Sequence, residues 1–459
     1  MEMDSIEVPK FKNKVAGVQK ERIYLVSKKR RREELEKAHY NLFKLSSSKV
    51  ILLDFQTASG TGALSAKQHY MSSCKADPSY TSSESWNRLR KAIRLFTGKE
   101  RIFPVHQGRP AEDILSEVFI EKGDRVLSNG LFDTTFANLS HKGAVCIDMP
   151  APLSERFFRG NIDTVKLEEA LRDEKAKMVL MTLLNNTEGG QPVSLANLKR
   201  TAHITKKYKA LLVVDACRIA QNAHFIWRDE VGGRTSISEI IRECFSLADV
   251  SYMSLKKDGL AHGGGFIVFD NNEVSAMLSE EFEKRIREVR KEIFRKEGNA
   301  DGYGGMPCEI MEQGAQGLRE VVTLKHLKKR MGDTEYFQEQ LKKAGAKIKN
   351  DNPPGGDAVY IDAGALLPGI PYPAKTMEIA LYEEGGIRSC GIDSIMFGEA
   401  TRGEILRLAI PAGVYGKEHF DYAAYVFGKF MKRKNELKGF KITYDPGELR
   451  HFDGHFAPL

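Results

Sequence analysis

The sequence predicts an α/β protein: a mostly parallel sheet covered by helices on both faces, with a smaller α+β domain beside it. Three observations carry that expectation. "VLMTLLNN" (Val179–Asn186) and "ALLVVDA" (Ala210–Ala216) are apolar without alternation, have strand length, and end in polar residues. Strands buried on both faces read this way, and the helix-periodic "SLANLKRTAHITKKYK" between them supplies the crossover a parallel pair requires. The third observation is a change of pattern after Gly317. There a charged helical stretch, "LREVVTLKHLKKRM" from Leu318, leads into shorter strands such as "AVYIDAG" and "ILRLAIP". The expected organisation is a large domain over residues 57–317 and a small domain over 318–459, joined by the N-terminal segment 1–56.

Composition narrows the class. The 459 residues are enough for more than one domain. A hydrophobic share of 41% and a charged share of 29% are those of an ordinary globular chain. No apolar run approaches the ~18 residues of a membrane span. The start, "MEMDSIEVPKFKNK", lacks the apolar core of a secretory signal, so a cytoplasmic location is expected. The net charge of +8 raises nucleic-acid binding, but its best support, "KKRRREELEK" at Lys28–Lys37, alternates into glutamates. That reads as an exposed helix with i,i+4 pairs, and no nucleic-acid or membrane partner is expected. Six cysteines (Cys74, Cys146, Cys217, Cys244, Cys308 and Cys390) show no CxxC spacing, which fits neither a zinc site nor a disulfide framework.

Three short stretches carry chemistry. In "HQGRPAEDILSEVF", Gly108 permits a tight turn, Pro110 suits a first helical turn, and Glu112 and Asp113 favour the positive end of the helix dipole. A glycine turn entering a helix is an anion site, to which Arg109 adds a charge-assisted donor. Asp215 stands at the end of a buried strand, where a carboxylate requires a cation. Read alone, it fits best a structural pair with Arg218; the functional reading is a partner for a protonated ring nitrogen. "MSLKKDGLAHGGGFIVF" then sets Lys256 and Lys257 side by side before a strand. A lysine downstream of a phosphate turn and a strand-end aspartate is the arrangement that pyridoxal phosphate needs. The amine forms a Schiff base and the aspartate keeps the ring nitrogen protonated. The Lys256 ammonium would lower the pKa of its neighbour.

These stretches resemble the β-eliminating lyases, the family of tryptophanase and tyrosine phenol-lyase, in which the second lysine of "KKD" holds the cofactor. The likeness is collinear: "TASGTGALS", "DPSY", "HQGR", "LFDTT", "GNID", "GGQPVSLANLK", "VVDACRIAQNAHFI", "SLKKD", "EGNADGYGG", "GIRSCGI", "EILRLAIP" and "LRHF" follow one another through the chain. The resemblance implies the aspartate-aminotransferase-like fold (fold type I), with a seven-stranded-type sheet and an active site shared between subunits. A homodimer is then the minimum, and a dimer of dimers is implied.

The resemblance also implies roles. Gln107, Gly108, Arg109 and Ser254 would hold the cofactor phosphate, and Phe132 would stack on the ring. Asn186 and Arg218 would contact the ring oxygen, Asp215 would pair with the ring nitrogen, and Lys257 would attach the cofactor and take the α-proton. Thr57, Asn186 and Arg407 would bind an amino-acid substrate, the last as a fork for its carboxylate. Tyr80 would protonate the leaving group. The backbone at Gly60 and His262 would hold a monovalent cation such as potassium.

Within the family the pattern follows tryptophanase. Ile392 stands where phenol-lyases carry an arginine for the phenol oxygen, and Asp133 and His451 are the implied indole-pocket residues. An apolar residue there leaves a phenolate unpaired. The expected reaction is therefore α,β-elimination of tryptophan to indole, pyruvate and ammonia. Three departures point elsewhere: Pro78 replaces the family's cation-binding glutamate, with Asp77 as a substitute. Arg295 and Lys296 bring charge to a loop expected near the pocket, and "AGVY" after Pro411 lacks a usual arginine. The alternatives are a related lyase for a more polar amino acid, resembling tyrosine phenol-lyase or a cysteine desulfhydrase, or a non-catalytic scaffold of the same fold.

Overall fold

The computed structural model describes residues 24–79, 82–152, 157–269, 279–298, 305–349, 351–398, 403–447 and 449–459. The chain divides into two compact units, Met1–Ala63 with Arg330–Leu459, and Leu64–Lys329.

The first unit begins, among the described residues, with the helix Lys28–Lys37, whose Ser27 side chain accepts from the Arg30 amide. The expected ion pairs form, Arg30 with Glu34 at 2.6 Å and with Glu33 at 3.6 Å. The helix is not solvated all round, however. Arg31 is buried and donates to the carbonyls of Glu383 and Glu384, at 2.9 and 3.0 Å, in the last turn of the helix Pro373–Gly385. A guanidinium there satisfies carbonyls that the helix end leaves over, which a reading of the run as a surface helix misses. The strand β1 (Leu53–Asp54) closes this segment.

The second unit is built on a seven-stranded sheet. Its strands are β2 (Arg101–Val105), β3 (Arg125–Ser128), β4 (Val145–Asp148), β5 (Met178–Thr182), β6 (Leu211–Asp215), β7 (Val250–Ser254) and β8 (Gly265–Phe269). They lie in the order β2-β8-β7-β6-β5-β3-β4. β8 is antiparallel to both neighbours; β3 to β7 run parallel wherever they pair. β5, β7 and β8 are buried at every position, as continuous apolar runs require when helices cover both faces. Two apolar clusters fill those faces, one under helices that include Glu84–Thr97 and Leu195–Tyr208, the other under Gly108–Phe119. The run from Val179 leaves the sheet after Thr182, because Leu184 turns to φ 59° and the Asn185 side chain takes the Thr187 amide. Among the described residues no helix is long and apolar enough to cross a membrane.

Back in the first unit, β9 (Ala358–Asp362), β11 (Cys390–Ile392) and β12 (Ile405–Ala409) make an antiparallel sheet in the order β11-β12-β9. β10 (Ile387–Arg388) pairs with β1 in parallel, and β13 (Phe440–Tyr444) with β14 (His455–Pro458) as a hairpin. Helices Pro373–Gly385 and Lys417–Arg433 contribute apolar residues to the core of this unit.

Candidate active site

The parallel strands of the large unit all end on one edge of the sheet, and the residues singled out from sequence follow those ends. His106–Arg109 follow β2, Phe132 and Asp133 follow β3, Asn186 follows β5, Asp215 ends β6, and Ser254 to Lys257 end β7. Ligands of open α/β sheets bind beyond the carboxyl ends of strands for this reason.

The turn into the helix Gly108–Phe119 is the most sharply specified part. A Cβ on Gly108 would stand 2.9 Å from the Ser254 Cβ, so only glycine lets the helix start lie directly against the end of β7. A Cβ on Gly265 would meet the Gln107 carbonyl carbon at 2.9 Å, which packs the same turn against β8. The Gln107 side chain makes no capping bond, so the first amides of this twelve-residue helix have no side-chain cap. Lys256, whose amide donates to the Ser254 hydroxyl at 3.3 Å, is half-buried beside it. Burial, then the charges of Arg109 and Lys257, hold its ammonium below the ordinary lysine range. Three cations gathered at a helix start call for an anion.

Asp215 is buried, and its carboxylate accepts from the Cys217 amide at 2.9 Å. Its backbone partner across the sheet is Tyr252 of β7. Lys257 is half-buried in the turn after β7, and Arg218 and Asn186 are buried. Phe132 is half-buried at the N-cap of the helix Asp133–His141, and Asp133 is buried with its carboxylate on the Thr134 amide at 2.8 Å. Asn129 and Asn185 lock this edge: Asn129 donates to the Thr182 carbonyl at 3.0 Å and accepts from the Thr182 amide at 2.9 Å. Asn185 donates to the Gly130 carbonyl at 3.1 Å.

Two residues escaped the sequence reading. Asp258, the acid of "KKD", is buried and accepts from the Ala220 and Gln221 amides at 2.7 and 3.2 Å and from the Gln221 side chain at 2.6 Å. It ties the lysine turn to the start of the helix Ile219–Phe225. Glu112, expected to favour the helix dipole, is instead buried and accepts from the Thr134 hydroxyl at 2.8 Å. Burial, then Asp215, push its carboxyl up to about 8, against the opposing Thr134 bond and Lys257. The signal lay in the helix period, since Glu112 falls on the stripe of Ala111, Leu115 and Phe119, all buried.

In the small unit, Arg407 is buried on β12 opposite Cys390 and Tyr360. One terminal nitrogen donates to the Gln56 carbonyl at 3.0 Å, while its buried Nε has no partner among the described residues. Thr57 is half-buried, its hydroxyl accepting from the Ser59 amide at 3.0 Å, and Gly60 follows at φ 76°. Ile392 is buried among Ala58, Tyr360 and Ile405. His451 is buried with its ring 5.8 Å from that of Phe43.

Of the remaining expectations, Tyr80 lies outside the described residues. Asp77 is engaged as a helix cap, accepting from the Glu84 amide at 2.8 Å, and Pro78 is exposed. The His262 amide donates to the Gln313 side chain at 3.1 Å, and among the described residues no cluster of three or more His, Cys, Asp or Glu is placed to hold a metal ion. Arg295 and Lys296, expected in a loop, instead end the helix Ser279–Glu297 and pair with Glu292 and Asp113. The i,i+3 spacing to Glu292 and the neighbouring helix supply anions that the sequence reading did not weigh.

A family profile described as β-eliminating lyase matches residues 54–425. A tryptophanase of Salinibacter ruber is 41% identical over 456 residues, 95% of this chain and 93% of the relative. A tryptophanase of Rhodobacter capsulatus is 37% identical over 457 residues, 96% of this chain and 97% of the relative. A tyrosine phenol-lyase of Clostridium tetani is 33% identical over 474 residues, 99% of both chains. Among solved structures, serine palmitoyltransferase of Sphingomonas wittichii superposes with a TM-score of 0.57 at 14% identity, covering 83% of this chain and 88% of that one. Another, solved with pyridoxal phosphate, gives the same score, so the fold is that of fold type I enzymes.

Proposed function

The chain belongs to the β-eliminating lyase family, and from that premise we propose that this pyridoxal-phosphate-dependent lyase splits L-tryptophan, with water, into indole, pyruvate and ammonia. The observation that carries the cofactor half is the uncapped helix start pressed by Gly108 against Ser254, with Lys256 and Lys257 at the same strand end and Asp215 on the adjacent strand. The substrate half is supported by Ile392, buried with Ala58, Tyr360 and Ile405, because its side chain supplies no donor to a phenol oxygen.

Bound at this edge, pyridoxal phosphate supplies an electron sink for carbanion chemistry. Gln107, Gly108, Arg109 and Ser254 would hold its phosphate, Phe132 would cover the ring face, and Asn186 and Arg218 would reach the ring oxygen. Asp215 would keep a proton on the ring nitrogen. Lys257, the covalent anchor, would then remove the α-proton, with Lys256 beside it in the same turn. Arg407 would clamp the substrate carboxylate with the nitrogen it leaves unpartnered, flanked by Thr57 and Asn186, while Asp133 and His451 would meet the indole ring. Tyr80 would give the proton that departs with the leaving group. The proposal includes a cytoplasmic homo-oligomer, at least a dimer, and a monovalent cation at the Gly60 and His262 backbone. Replacing potassium by sodium tests the last.

The deciding experiment is a panel of amino acids assayed in parallel for pyruvate and for indole. Tryptophan should yield both in equal amounts. Pyruvate from a polar amino acid with no indole from tryptophan refutes the substrate assignment and leaves the lyase. A purified protein with no visible absorbance after cofactor addition refutes the cofactor half.

A further inference from the structure

The residue before the phosphate turn is braced by an acid that no part of the proposed reaction uses. Glu297, at the last position of the helix Ser279–Glu297, has its side chain only 1% exposed. Its carboxylate accepts from the His106 backbone amide at 3.0 Å and from the His106 Nδ1 at 2.7 and 2.8 Å. The His106 carbonyl in turn accepts from the Gly264 amide at 2.6 Å. Ring, amide and carbonyl of His106 are therefore all fixed, one residue ahead of Gln107 and two ahead of the helix start. The pocket that holds the carboxylate is itself built. Gly305 stands at φ 63°, and a Cβ on it would come within 2.6 Å of the Glu297 Oε2. A second tether joins the same helix end to the phosphate helix, the ion pair of Lys296 with Asp113.

A buried carboxylate binding one residue through both backbone and ring is a means of setting torsion angles. Charge-assisted bonds of this kind are about twice as strong as neutral ones. The residue whose torsions it sets feeds the turn where the helix amides must all face one anion. We propose that Glu297 is a positioning residue for phosphate binding: through His106 it presets the Gln107–Arg109 turn that receives the phosphate of the cofactor. Glu297 touches neither cofactor nor substrate in this assignment. It rests on the reading of that turn as the phosphate site.

Pyridoxal, which lacks the phosphate, separates this role from a general structural one. The full-length protein is stripped of cofactor and titrated with pyridoxal phosphate and with pyridoxal, following visible absorbance. Glu297→Ala should weaken pyridoxal phosphate by about tenfold or more, a loss of about 1.4 kcal/mol per tenfold, and leave pyridoxal within about twofold. Glu297→Gln, which keeps one acceptor oxygen, should fall between. Gly305→Ala, whose methyl group would crowd the Glu297 carboxylate, should reproduce the pattern and serves if Glu297→Ala fails to fold. Equal losses for both ligands, or no loss for either, overturn the inference. A wild-type protein that binds neither ligand overturns the underlying site instead.

Discussion

Glu112→Gln tests the charge state of the large unit most directly. The Glu112 carboxyl sits at about 8 against an ordinary 4.5. The sign follows from linkage. Below about pH 4.5 folded and unfolded chains both hold the proton, and the residue contributes nothing to pH dependence. Between about pH 4.5 and 8 the unfolded chain releases the proton and the folded one keeps it. The folded state then binds more protons, and stability falls as pH rises. At about 1.4 kcal/mol per pH unit the full interval corresponds to about 5 kcal/mol. Relaxation around a buried charge brings the expected value to about 2–5 kcal/mol. Glutamine keeps an oxygen for the Thr134 hydroxyl and cannot ionise, so it removes this slope and little else. The assay is urea unfolding of cofactor-free wild type and variant at several pH values from about 5 to 8.5. The difference in unfolding free energy should start near zero and grow in favour of the variant. A difference that stays constant over this range refutes a protonated Glu112.

The other predictions concern the same strand ends and the small unit. Asp258→Ala removes three buried acceptor contacts and should lower stability by about 3 kcal/mol, with loss of the visible cofactor band; a variant with unchanged melting temperature and absorbance contradicts that anchor. Gly108→Ala pushes a methyl group to 2.9 Å from the Ser254 Cβ, so cofactor affinity should fall by about tenfold or more, measured by equilibrium dialysis. In the small unit, Lys375 and Glu378 form a buried pair at 2.5 Å. Lys375→Met should cost about 3–5 kcal/mol in thermal unfolding, and Lys375→Met with Glu378→Met much less; equal costs would contradict a paired charge.

How far the sequence could be read depended on what kind of force sets each residue. Strands buried on both faces announce themselves, because every position must be apolar, and β5 and β6 appear where the continuous runs stand. Glycines against a neighbouring backbone, such as Gly108, are legible for a similar reason: sterics admits one residue. Long-range polar partners are different. Asp258 looks like a solvated acid after two lysines, and only the fold brings the Ala220 and Gln221 amides to it. Arg31 in a run of cations looks like surface until the carbonyls of residues 383 and 384 arrive. Arg295 and Lys296 look like unpaired loop charges for the same reason, until the helix brings Glu292 to the first and Asp113 meets the second.

The charges around these strand ends fall into two sets of opposite sign. Arg109 and Lys257 both depress Lys256, with no carboxylate among the influences on it. Asp215 and Asp133 both raise Glu112. Lys257 belongs to both sets, since it also favours the ionised form of Glu112. A ligand that neutralised only the cations would offer nothing to the buried Asp215 carboxylate, and a simple cation would do nothing for the helix start. Under the proposed function the ligand that suits both is dipolar, its anionic end where Gly108 meets Ser254 and its cationic end beside Asp215, with a site for covalent attachment between them. A phosphorylated pyridinium aldehyde has that charge order, whereas inorganic phosphate or a nucleotide lacks the cationic end.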